Sequence, residues 1–115
     1  MYRAMHPLAL LNTTVATNDG DYSIQTISLA EVRERFATAA STGSIESAIG
    51  HQSTADVLSH LLGRKVPMNR QSFIQKIGQT ALTFKLNRRP PEGQILSVEE
   101  IEKIGYTFKL MTRTA

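Results

Sequence analysis

Apolar residues recur along this chain with two periods, one helical and one alternating, and the switches between them predict its elements. Pro7–Asn12 is a short apolar run ended by polar residues, which predicts a buried strand with Asn12 and Thr13 at its C-terminal end. Asn18-Asp19-Gly20-Asp21 marks a turn. Tyr22–Ile27 then alternates through Tyr22 and Ile24 and predicts a second strand. Ser28, with Glu31 as its capping-box partner, opens a helix running from Leu29 to about Ala40, whose buried face is Leu29, Val32, Phe36 and Ala39. Glu31, Arg33, Glu34 and Arg35 form its solvated side.

Ile45–Ile49 predicts a short strand that runs into a Gly50-His51 turn. Beyond the turn, Thr54, Val57, Leu58, Leu61 and Leu62 recur at helical spacing and give one apolar face. Ser53 with Asp56 resembles a capping box, and Gly63 stands where such a helix stops. Arg70–Lys76 and Ala81–Asn87, joined by Ile77-Gly78-Gln79-Thr80, read as two strands of a hairpin. The prolines and glycine of Arg88–Gly93 make a stiff loop. Ser97 caps a last helix with Glu100 in the box position, Ile101 and Ile104 on its apolar side and Gly105 at its end. Tyr106–Met111 alternates as a final strand. The order predicts an α/β (α+β) domain, a mixed central sheet flanked by helices.

Composition bounds what such a domain does. At 115 residues it is one domain of common size. No apolar run approaches the roughly 18 residues of a membrane span, and Met1–Pro7 lacks the apolar stretch of a secretory leader. With no cysteine there are no disulfides and no thiolate metal ligands, a composition that fits the cytoplasm. A net charge of +3 permits a polyanionic ligand, but no basic stripe suited to duplex nucleic acid is visible.

Phosphate-binding glycine loops, H-E-x-x-H and the G-x-S-x-G elbow are all absent. His51 and His60 lie nine residues apart, about two and a half helical turns, too far to clasp one metal from one helix. What remains is a set of groups suited to a phosphodiester. His51 stands where a helix begins, beside unpaired backbone N–H groups that favour an anion, and an imidazole there is a candidate proton donor. Arg70 and Arg89 offer rigid forks for phosphate oxygens. Glu92 follows Arg89 by three residues in the stiff loop, and Asn12 and Thr13 end a strand where open sheets place ligands. Each also has a plainer role: a turn histidine, loop charges, a residue closing a strand.

Three separated motifs carry a family resemblance: Ser47-Ala-Ile-Gly-His-Gln-Ser-Thr, Asn69-Arg70, and Arg89-Pro-Pro-Glu-Gly-Gln-Ile-Leu-Ser-Val-Glu-Glu-Ile. Over Leu8 to Arg113 the chain resembles the viral anti-CRISPR ring nucleases, which destroy cyclic tetra-adenylate, the messenger of type III CRISPR defence, and their prophage and cellular relatives. The resemblance implies a homodimer that holds the cyclic ligand across its axis. It sets residues 7–115 as the ring nuclease domain, with 1–6 a variable extension. It implies His51 and Glu92 as catalytic residues, with Arg89, Arg70 and Asn12 in the substrate site, and neither metal nor cofactor; Thr13 and Ser53, beside Asn12 and His51 in the chain, are expected in the substrate site too. The implied chemistry is attack by a ribose 2′-OH on the adjacent phosphorus while His51 protonates the departing 5′ oxygen. Glu92 would either keep His51 charged or steady the 2′-OH. The products would be linear diadenylates ending in 2′,3′-cyclic phosphate. The expected partners are then the cyclic ligand and a second copy of the chain, in the cytoplasm (the host's, if a virus encodes it), with no membrane and no duplex nucleic acid. The alternative is a dimeric module that binds nucleotide or DNA without catalysis.

Overall fold

Among the described residues five strands form one mixed sheet: β1 (Leu8–Leu11), β2 (Tyr22–Ile27), β3 (Ile45–Ser47), β4 (Thr80–Leu86) and β5 (Tyr106–Arg113), in the order β2-β5-β4-β1-β3. Three helices accompany them among the same residues: α1 (Leu29–Ser41), α2 (Gln52–Leu62) and α3 (Val98–Ile104). The structure is a computed structural model and describes residues 6–88 and 97–115. β1 lies parallel to both β3 and β4, whereas β5 runs antiparallel to β4 and β2.

Alternation along the strands sorts the side chains onto two faces. Leu10, Leu82, Phe84, Phe108 and Leu110 share one buried cluster with Val32 and Phe36 of α1, Leu58 and Leu61 of α2, and Ile101 of α3. All three helices therefore cover the same face. Phe84, Tyr106 and Phe108 pack there in tilted and edge-to-face pairs, with ring centroids 5.1 to 5.9 Å apart. The opposite face carries small or flexible residues, Ala9, Leu11, Ala81 and Met111, packed with Ala48, Tyr22 and Phe73 rather than with a helix.

Local chemistry explains the helix ends. Ser28 accepts a hydrogen bond from the Glu31 amide at 3.2 Å and starts α1. Ser97 and Glu100 form the full reciprocal capping box of α3. Gly63 closes α2 with a φ of 69°, a left-handed conformation that favours glycine. Arg33, expected on the solvated side of α1, donates through Nε to the Leu61 carbonyl at 2.8 Å and so satisfies an end group of α2.

Four expectations need correction. Ser53 does not cap α2: His51 does, with no side-chain bond, and Ser53 falls inside the first turn. The would-be box partner, Asp56, instead accepts from Gln52 Nε2 at 2.8 Å, four residues away on the same helix face. Nor do residues 70–76 form a strand, so there is no hairpin before β4. Ile74 and Ile77 point outward, while Gln75, fully buried, donates through its side chain to the carbonyls of Gln79 and Met111. The segment is held by side-chain amides, which a hydrophobic period does not reveal. β3 also stops at Ser47, short of Ile49, and β5 continues to Arg113.

Candidate active site

Because β1, β3 and β4 are parallel, the chain leaves all three at one edge of the sheet, the edge where open sheets bind ligands. Leu10 faces Ser47 in the register, and Leu11 faces Thr83. From these rungs β1 runs on into Asn12 and Thr13, β3 into Gly50 and His51, and β4 into Asn87 and Arg88. Asn12 is half-buried; Thr13, His51, Ser53 and Arg70 are exposed.

His51 is the residue before α2, with extended backbone (φ −130°, ψ 131°). Its carbonyl accepts the first helical bond, from the Ala55 amide at 3.1 Å. Among the described residues no side chain caps this helix end, and amides of an uncapped first turn are the groups that suit an anion. The turn before His51 is firmly held. Ala48 donates to the Leu10 carbonyl at 2.9 Å, and the Asn69 amide donates to the Ile49 carbonyl at 2.9 Å. Ser47 Oγ donates to the Pro67 carbonyl at 2.7 Å.

The same segment delivers Arg70. Its Nε lies 3.8 Å from where a Gly50 side chain would begin, so the guanidinium sits against the residue that precedes His51. The structure thus brings Arg70 to the His51 turn, places Asn12 and Thr13 directly after β1 at the same sheet edge, and puts Ser53 in the first turn of α2. Arg89 and Glu92 lie outside the described residues. Sequence reading missed Ser47, Asn69 and Gln71 as polar supports of this turn. A signal existed: three amide or hydroxyl residues flank the two positions assigned to phosphate chemistry.

A cavity of about 480 Å³ lies elsewhere, on the helix side of β1 and β3, between Phe36, Ile45, Arg64 and Pro67. None of the expected site residues lines it.

Comparison with known proteins places this geometry in context. The family profile described as STIV B116-like matches residues 8–108. The protein YddF of Bacillus subtilis (strain 168) is 39% identical over 106 residues, covering 92% of this chain and 96% of its own. ORF117 of the Acidianus two-tailed virus is 41% identical over 68 residues, 58% of each chain. Among solved structures, B116 of Sulfolobus turreted icosahedral virus superposes with a TM-score of 0.81 over 94% of this chain and 99% of its own, at 20% identity, a likeness of fold.

Proposed function

We propose a function from one premise: the chain belongs to the STIV B116-like family. It is a metal-independent ring nuclease that cleaves cyclic tetra-adenylate to linear diadenylates ending in 2′,3′-cyclic phosphate, and it works as a homodimer. What supports this reading most is the placement of Arg70 against Gly50, beside His51 at the start of α2, where His51 makes no capping bond, on the edge where three parallel strands end.

The chemistry asks little of the protein beyond placement. The ribose carries its own nucleophile, the 2′-OH. A bond forms from the 2′ oxygen to phosphorus and the bond from phosphorus to the 5′ oxygen breaks. Alignment of attacking and leaving oxygens lowers the barrier by several kcal/mol, within the ~7–11 kcal/mol available to ideal orientation. The open amides of α2 and the Arg70 fork hold the phosphate oxygens and offset the charge growing on them. His51 gives its proton to the departing 5′ oxygen, a contribution of roughly 10²–10⁴ in rate. Arg89 and Glu92 complete the set from the loop after β4, the arginine on phosphate, the glutamate at His51 or at the 2′-OH. A two-fold axis would place two His51 residues on opposite linkages of the ring.

The test is incubation with labelled cyclic tetra-adenylate in excess EDTA. The expected result is diadenylate, undiminished by the chelator. Tight binding without turnover would replace the nuclease with a sequestering module, and neither binding nor cleavage would remove the ligand altogether.

A further inference from the structure

β3 is an edge strand, and its last carbonyl is covered in an unusual way. The Ala48 amide points toward β1, where it meets the Leu10 carbonyl. The Ser47 carbonyl, on the other side of the same peptide, therefore points away from the sheet, as an unpaired edge group would. Two side chains converge on it: Asn69 Nδ2 at 3.0 Å and Gln71 Nε2 at 2.7 Å. The Asn69 amide meets the next outward carbonyl, that of Ile49, at 2.9 Å. Residues 69–71 thus stand in for a further strand, using side-chain amides where backbone would serve. Between the two gripping residues stands Arg70, whose Nε lies against Gly50.

We propose that Asn69 and Gln71 are positioning residues, a two-pronged clip on the Ser47 carbonyl that fixes the His51 turn and the Arg70 guanidinium in one common frame. Neither prong touches the reacting atoms. The clip sets the separation between the proton donor and a phosphate ligand, and each is displaced if the other is. Its catalytic consequence rests on the ring nuclease reading; its geometry does not. Since both donors share one acceptor, loss of either leaves the carbonyl satisfied. Loss of both strands it, so the two substitutions are strongly non-additive.

The experiment compares wild type, Gln71→Met, Asn69→Leu and the double variant, all nearly isosteric and uncharged. Amide hydrogen exchange is read at Ala48 and Ile49 against Leu82 and Phe84 of β4, along with the His51 imidazole and Arg70 Nε–H resonances and the single-turnover rate on cyclic tetra-adenylate. Each single variant is expected to change local exchange by less than about threefold, and the double variant to raise it roughly tenfold with β4 unchanged. The His51 and Arg70 resonances then shift together, and cleavage slows by roughly tenfold or more. Unchanged exchange with unshifted resonances overturns the clip. So does a uniform rise that includes Leu82 and Phe84, which marks a merely structural contact. So does normal cleavage by the double variant of an active protein. A wild-type protein that does not cleave removes the nuclease reading, and the exchange and resonance readings still decide the clip. If that double variant does not fold, the same readings are taken on Asn69→Ala/Gln71→Ala, which also removes both donors at two exposed positions: a paired shift of the two resonances supports the clip and no shift overturns it.

Discussion

The two ends of the sheet use polar residues in opposite ways. At the end where β1 and β4 begin, polar side chains are turned inward and spent on backbone groups. Gln79 is 1% exposed; its Nε2 donates to the Pro7 carbonyl at 2.9 Å and its Oε1 accepts from the Lys76 amide at 2.9 Å. Gln75 bridges the Gln79 and Met111 carbonyls, and Arg113 donates to the Gln75 and Asp19 carbonyls. At the other end, Thr13, His51, Ser53 and Arg70 face outward. Amides buried at one end carry stability. The groups exposed at the other are those the proposed site would use, and Asn69 and Gln71 beside them are bonded to the Ser47 carbonyl.

That division makes separable predictions. The largest effect expected is on rate: His51→Ala should slow single-turnover cleavage of cyclic tetra-adenylate by roughly 10²–10⁴. Its unfolding free energy in urea should stay within about 0.5 kcal/mol of wild type, since His51 makes no capping bond. Gln79→Leu should do the reverse. It strands the Pro7 carbonyl and the Lys76 amide, lowering stability by about 2–4 kcal/mol in urea titration, with turnover by the folded protein unchanged. A variant at either end that moved both quantities equally would break the comparison.

The helices were legible because their ends are written in single residues. Ser28, Gly63, Ser97 and Gly105 each mark a boundary by a local hydrogen bond or a positive φ, and the structure uses all four. Residues 70–76 were not legible. Phe73 and Gln75 sit at strand-like spacing, but the segment is tied by glutamine amides to carbonyls far off in sequence, as with Gln75 to Met111. Such long-range pairing has no local period. Ser53 misled for a related reason: serine followed three residues later by an acid is a cap only if the helix begins there, and the chain turns at Gly50-His51 instead. At the site, sequence singled out Arg70 and His51, which the structure brings to one turn. It did not single out the outward-facing Ser47 carbonyl at the sheet edge, on which Asn69 and Gln71 converge.

Smaller effects sharpen the contrast further. Arg70→Ala should weaken binding of cyclic tetra-adenylate about 10- to 100-fold by calorimetry, a lost charge-assisted contact of about 1.5–3 kcal/mol, with little change in stability. Tyr106 tests whether every polar group near the site end is free. It begins β5 at that end, yet burial holds its hydroxyl above the ordinary value of 10.0, and Glu102, which accepts its hydrogen bond at 3.1 Å, adds to the rise. The folded state therefore favours the neutral phenol. That stabilisation is complete below the ordinary value and is lost as pH rises through the higher folded one. Tyr106→Phe should flatten the fall of stability above pH 10.0 and leave cleavage unchanged.

The central claim is that the ribose attacks its own backbone while His51 releases the departing oxygen. Cleavage in water enriched in oxygen-18, quenched after one turnover, tests it most directly by mass spectrometry of the first product. A diadenylate of 2′,3′-cyclic phosphate mass with no heavy oxygen is predicted. A linear phosphate carrying one atom of oxygen-18 from the first turnover would mean that water is the nucleophile, and would contradict the account.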